Sequence, residues 1–433
     1  MKPLLTSPHR YQGVGGYMVV KNWITKYKLT YQDSLFSVQI LLVAFGALIT
    51  VPLLTGLDPN VALFTAGAGT LIFHFTTKRA IPVFLASSFA YTAPIMVATK
   101  TWGIPAALGG LAVAGLVYMA ISGIIQWRGR KIIETLFPPV VVGPVIMVIG
   151  LMLAPVAVSM ALGKANPEHL IPEKSALLIA MTSLAATVSA FLFARGALKL
   201  IPILCGLGSG YLVSVASGII DFSIVADAPW FAFPRFVLPE FKFDAIVFLV
   251  PAAIVPIIIH FGDILAIGEV TENNYLIDPG VHRTLLGNGI ATTFAACVGG
   301  PPVRIYAEIT GTVAALKRFE PALMVWAALL AILLAFFGKL GALFQTIPSP
   351  VSGGILIIFF GALVAVGINC LKKAATELTD LRNLLIVALI LVFGIGGITF
   401  SAGAFTLKGV GLATTVGVIL NLILPDKMST KES

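Results

Sequence analysis

Apolar runs of roughly bilayer length, separated by short charged or turn-rich breaks, recur along nearly the whole chain. A helix rising 1.5 Å per residue needs about 20 apolar residues to cross a hydrocarbon core. The breaks delimit fourteen segments, at 34–56, 59–75, 82–97, 103–127, 137–162, 175–196, 199–219, 243–268, 284–299, 304–316, 321–346, 350–370, 383–398 and 408–424. Segments 82–97 and 304–316 are too short to cross as regular helices, and both are flanked by proline. The pattern predicts an all-α integral membrane protein of fourteen transmembrane segments, with the third and tenth broken.

Features of the first seven segments recur in the last seven. Phe45 and Gly46 have counterparts in Phe261 and Gly262, 216 positions on. Pro139 and Gly143 match Pro350 and Gly354 at an offset of 211, and the short third segment pairs with the tenth, Phe89 lying 219 positions before Glu308. Three matches in order, at nearly one offset, predict a duplicated seven-segment unit. Seven is odd, so the second copy enters from the opposite face as an inverted repeat. The predicted organisation is an N-terminal arm (1–31), a first repeat (32–220), an interfacial linker rich in aromatics and proline (221–242), a second repeat (243–424) and a short tail (425–433).

Composition agrees with this class. Hydrophobic residues make up 58% of the chain and charged residues 11%, with mean hydropathy +1.00, whereas a soluble domain carries about 25% charged residues. The formal charge of +9 comes from basic residues in short loops, not from a patch suited to nucleic acid. With the N-terminus inside, twenty basic residues fall on inner loops and tails and seven on outer loops. That asymmetry places both termini in the cytoplasm. The first 30 residues lack the apolar stretch and small-residue site of a cleaved leader. Cys205, Cys297 and Cys370 are scattered through apolar runs, without disulfide or metal-ligand spacing. No metal or cofactor is expected.

Candidate chemistry lies where backbone is interrupted at mid-membrane, since irregular backbone there must line a cavity or be buried in protein. Ionisable residues at that depth mark function by default: His74, His260, Asp263, Glu269, Arg304, Glu308 and Lys339. His74 and Lys339 lie close enough to segment ends to reach an interface, and Glu269 opens a polar stretch that reads as a solvated helix end. Glu308, beside Tyr306 in the tenth segment, is suited to accept hydrogen bonds from ring N–H groups, or to donate when protonated. His260 and Asp263, three residues apart on one helix face, form a candidate proton-handling pair. Arg304, four residues before Glu308, reads best as its neutralising partner.

The run 262–302 (GDILAIGEVTENNYLIDPGVHRTLLGNGIATTFAACVGGPP) resembles the eighth-to-tenth segments of bacterial uracil permeases in the nucleobase–ascorbate transporter (uracil/xanthine permease) family. IPVFLASSFAYTAPI, FPPVVVGPVIMVIGL, FGKLGALFQTIPSPVSGGI and GLATTVGVILNLILP resemble other stretches of those proteins, so the resemblance covers roughly 34–424. It implies two inverted repeats of seven segments divided into core and gate domains, a homodimer, a bacterial inner-membrane location and substrate–proton symport. The substrate contacts it implies are Phe89, Glu308, Tyr306, the backbone N–H of Ala307, Ala47 and Phe360. The chain departs from the family pattern in several places. Ile259 stands where uracil permeases carry a substrate-binding glutamate before His260, and Asp263 where some members carry a histidine and many an aspartate. Ile309, Leu316 and Lys317 replace the residues that usually follow the tenth-segment acid, and Val303, Arg304 and Ile305 replace small polar residues. Asp263, one turn from Ile259, is expected to take over part of the missing carboxylate's role.

These readings lead to a proton-coupled nucleobase carrier, uracil foremost, with Asp263, His260 or Glu308 handling the proton. The alternatives are a xanthine/urate-type purine permease, an anion transporter of the same inverted-repeat fold, and a transport-dead scaffold, for which Ile259 would be the sign. An enzyme is disfavoured, because no nucleophile–base pair, phosphate loop or metal cluster occurs.

Overall fold

The computed structural model describes residues 31–129, 138–164, 171–373, 378, 380–402 and 405–424. The expected N-terminal arm and C-terminal tail lie outside these residues, apart from Tyr31. The chain is mainly helical. Its first half holds α1 (Tyr31–Thr55), α2 (Pro59–Thr76), strand β1 (Leu85–Ser87), α3 (Thr92–Trp102), α4 (Ile104–Arg128), α5 (Pro139–Ala161), α6 (Glu173–Phe193) and α7 (Pro202–Ala216). The second half holds α8 (Phe243–Thr271, with a tighter turn at Pro251–Ala253), α9 (Val281–Cys297), β2 (Val303–Ile305), α10 (Ala307–Leu316), α11 (Pro321–Ala335), α12 (Ser349–Lys373), α13 (Leu381–Ile395), a hairpin of β3 (Thr399–Ala402) and β4 (Phe405–Lys408), and α14 (Gly409–Ile423). Among the described residues α1, α4, α5, α6, α8 and α12 are long and apolar enough to cross a membrane, and α7, α11, α13 and α14 are shorter apolar helices.

Local chemistry sets the breaks. The Asp58 carboxylate caps α2 by accepting from the backbone N–H of Asn60 (2.7 Å) and Val61 (3.3 Å), and Pro59 occupies the first turn; this is the arrangement that satisfies otherwise orphaned donors. Gly103, at φ 86°, both ends α3 and starts α4. The expected span 321–346 is divided at Phe336–Phe337 into α11 and a short helix, Gly338–Gln345.

The helices pack in two groups, each drawn from both halves of the chain. One group is α1–α4 with α8–α11; the other is α5–α7 with α12–α14. The packing partners exchange between halves: α2 lies on α11 and α9 on α4, α6 on α12 and α13 on α5, α6 on α7 and α13 on α14. Small residues permit close crossings, as expected where lipid offers no hydrophobic drive to association. A Cβ on Gly143 of α5 would meet the Gly367 carbonyl of α12 at 2.8 Å, and one on Gly367 the Gly143 carbonyl at 2.5 Å.

The 221–242 stretch carries a short helix, Ser223–Asp227, then extended backbone. It is tied to the region after α11 by the Ala232 N–H donating to the Phe336 carbonyl (2.9 Å) and by Lys339 Nζ donating to the Val225 carbonyl (2.9 Å). Trp230, Phe231, Phe233 and Phe241 are exposed along it. Lys339 also lies over the Trp230 ring, in keeping with an interfacial position.

Candidate functional site

The two short segments are each half strand and half helix. β1 and β2 pair antiparallel, with Leu85 opposite Ile305, Ala86 opposite Arg304 and Ser87 opposite Val303. So small a sheet leaves polar edges, which cannot stay unpaired at membrane depth. Side chains from flanking helices meet them: Thr70 Oγ1 of α2 accepts from the Leu85 N–H (2.9 Å), and Thr292 Oγ1 of α9 donates to the Val303 carbonyl (3.0 Å). The antiparallel register sends α3 and α10 away from opposite ends of the sheet, so their N-terminal ends converge on it. Free N–H groups and the positive ends of two helix dipoles gather there.

Val303 and Ile305 are buried, so the strand turns its middle residue, Arg304, the other way, toward α8. Arg304 Nη2 donates to both carboxylate oxygens of Asp263, at 2.9 and 3.2 Å, and Nε donates to the Ile305 carbonyl at 3.1 Å. Side-chain exposures of 14% for Arg304 and 8% for Asp263 make this a buried ion pair. Two sequence expectations are corrected here. Arg304 forms its ion pair with Asp263 and not with Glu308, because residue 304 is in a strand and the extended turn at Tyr306 removes the helical spacing that would bring 304 onto 308. His260 and Asp263 do not pair: His260 Nε2 lies 2.9 Å from Thr284 Oγ1 of α9, while Asp263 faces β2.

Glu308 occupies the first turn of α10 and is exposed. Gly311 one turn on, and Gly262 beside Asp263, are also exposed, and a Cβ built on either meets nothing within 4 Å. Open space therefore borders this face of α8 and α10. Several buried hydroxyls at the crossing, those of Ser87, Ser88, Thr92, Tyr306 and Thr310, have no hydrogen-bond partner among the described residues.

An aromatic contact lies beyond the other end of the sheet. Phe89, in the single 3-10 turn between β1 and α3, stacks on Phe359 of α12 with ring centroids 3.8 Å apart and planes inclined by 34°. The expected α12 contact, Phe360, is 1% exposed, and its carbonyl faces Gly150 of α5. Its ring is held within the second helix group, and the neighbouring Phe359 meets Phe89. The adjacent phenylalanines carry no sequence signal that ranks them. Ala47 is fully buried on α1, Tyr306 is buried, and Ile259 is half-buried on α8 against the main apolar core. Ala307 begins α10, and its side chain lies outside those described. His74 does not reach an interface: it is 1% exposed, with Nε2 2.9 Å from the Val83 carbonyl just before β1. Glu269 is exposed near the end of α8.

The xanthine/uracil permease model, described as "Permease family", matches residues 31–403. The chain belongs to that family. A probable uracil permease of Haemophilus influenzae is 48% identical over 91% of this chain and 94% of its own length. Uracil permeases of Bacillus caldolyticus and Escherichia coli are 41% and 38% identical, over 96% and 89% of this chain and 94% and 90% of theirs. This permease also shares a fold with solved membrane proteins of low identity. Superposition on SLC26A9 gives a TM-score of 0.68 at 12% identity, over 93% of this chain and 67% of that one. The transmembrane domain of the cyanobacterial bicarbonate transporter BicA gives 0.59 at 17%, over 91% and 98%. The permease is a multi-pass membrane transporter, not an enzyme.

Proposed function

We propose that this permease carries a neutral oxo-nucleobase, with uracil the leading substrate, into the cell together with a proton. The observation that carries the reading is Glu308, an exposed carboxylate in the first turn of a half-helix beside open space, with the Phe89–Phe359 stack beyond the other end of the same two-stranded sheet. A carboxylate so placed accepts ring N–H groups, and aromatic rings bind a planar heterocycle by its faces. Asp263, Arg304 and Glu308 carry one net negative charge when all are ionised and none when one proton is bound. Either state suits a neutral ligand better than an anion, which weighs against the anion-carrier reading despite the fold shared with a bicarbonate transporter. Protonation lowers the cost of moving the site through a low-dielectric environment. The names of the relatives support uracil as the base.

In this reading the chain is an inverted repeat of two seven-segment units with cytoplasmic termini, working as a dimer in a bacterial inner membrane. The group α1–α4 with α8–α11 is the substrate-bearing core, and α5–α7 with α12–α14 is the gate. The exchange of packing partners between halves supports the repeat. Phe89 belongs to the core and Phe359 to the gate, so alternating access breaks and remakes their stack. The test is uptake of radiolabelled uracil into proteoliposomes under an imposed proton gradient. Stimulation by an inward gradient, and its loss in Glu308→Gln, are expected. Uptake indifferent to the gradient refutes coupling, and absence of uracil uptake refutes the substrate.

A further inference from the structure

A guanidinium has five N–H donors in a planar fork and usually meets a carboxylate with two of its nitrogens. Arg304 does otherwise. Nη2 alone serves both Asp263 oxygens and Nε serves the Ile305 carbonyl, while Nη1 donates to no group among the described residues. Nor is Nη1 among the sealed, unpartnered side-chain atoms, unlike the Tyr306 hydroxyl nearby. The result is a charged donor held by a buried acid and a backbone carbonyl, with one arm left over; Glu308, exposed in the first turn of α10, lies within its electrostatic reach. On α8 the neighbouring residue one turn back, Ile259, offers no hydrogen bond.

We propose that Arg304 is a specificity-determining residue, whose Nη1 donates to an exocyclic oxo group of the bound base while Glu308 accepts the adjacent ring N–H, and that Asp263 is its positioning residue. The inference rests on the nucleobase reading and deepens it. Glu308, four residues on and within electrostatic reach of Arg304, supplies an acceptor and the Nη1 arm a donor, the complement of the lactam edge of an oxo-heterocycle, where N–H adjoins C=O. Where the edge read is the one bearing O4 of uracil, cytosine turns an N–H₂ group toward the guanidinium and a bare N3 toward the carboxylate, leaving them unpaired in a desolvated place; its N1–H and C2=O edge remains matched. Asp263 neutralises Arg304, so the arginine acts as a hydrogen-bond donor and not as a free positive charge. The role expected for Asp263 as a direct acceptor is thereby reassigned, since both its oxygens are already engaged.

The test compares binding of uracil, 2-thiouracil, 4-thiouracil and cytosine to purified protein. The thio analogues keep both ring N–H groups and replace one oxo each by a poor acceptor. Wild-type protein is expected to prefer uracil by at least ~10-fold over one thio analogue, the scale of a charge-assisted hydrogen bond, and over cytosine as well where that analogue is 4-thiouracil. Arg304→Lys keeps the charge beside Asp263 but has no second arm, and the preference should fall below ~3-fold. Asp263→Asn should reduce the preference in part, because the fork is no longer fixed. If Arg304→Lys does not fold, the joint replacement Asp263→Leu with Arg304→Met removes the pair without stranding a charge and should abolish the preference. An unchanged preference in these variants, or none in wild type, overturns the assignment while leaving uracil binding intact. Failure of wild type to bind any base overturns the nucleobase reading itself.

Discussion

Removing one member of the buried pair should harm the protein more than removing both. Arg304 and Asp263 meet at 2.9 Å with 14% and 8% of their side chains exposed, and unit charges that close attract by roughly 6 kcal/mol at an effective dielectric of 20. That attraction offsets the desolvation of both groups. Arg304→Met forfeits it and leaves the Asp263 carboxylate buried without its donor, since neighbouring His260 is engaged with Thr284; the cost is about 3–5 kcal/mol. Asp263→Leu combined with Arg304→Met removes both desolvation terms and should be close to neutral, about 0–2 kcal/mol. For a 433-residue chain the per-residue unfolding entropy converts 1 kcal/mol to roughly 1 °C. Thermal unfolding of wild type, both single variants and the double variant, in one detergent at one scan rate, completes the cycle. The arginine single variant should melt roughly 3–5 °C below wild type, and the double variant should recover most of that loss. Strict additivity, with the double variant melting as low as the two single losses combined, would show that the residues do not interact and would remove the basis for the Nη1 assignment.

Two further outcomes follow from the packing. Phe359→Ala should lower melting by no more than about 2 °C, because the stack it breaks contributes about 0.5–1.5 kcal/mol, yet raise the KM for uptake; Phe360→Ala should instead cost about 3–5 kcal/mol as a core cavity, seen as melting roughly 3–5 °C lower, and equal effects of the two on KM would refute the distinction. Gly367→Val pushes a side chain against the Gly143 carbonyl and should lower melting and monodisperse yield by an overpacking cost of about 1–3 kcal/mol or more, whereas Gly361→Ala on the same helix, with nothing within 4 Å, should be neutral by both measures.

The membrane class and the broken third and tenth segments were legible because each rests on a one-dimensional signal: apolar run length, and prolines bounding runs too short to cross. The strands inside those segments were not. Each has three residues, too few for alternation to register, and their partners lie over two hundred positions away. Helical spacing applied within them pairs Arg304 with Glu308, which the strand undoes. His74 sits near a segment end in sequence, and only the tertiary approach of Val83 makes its position an interior one. The same three-residue strand also sorts the departures from the uracil-permease pattern. Val303 and Ile305 point into the core, as does Ile309, each at 1% exposure or less, so their apolar character is explained by packing. Arg304, between the first two, turns toward α8, and Ile259 is half-buried on that helix one turn from Asp263. A specificity built from these departures runs through that pair: an apolar side chain on α8 at 259, and a donor on β2 at 304 that is held in place by the acid at 263.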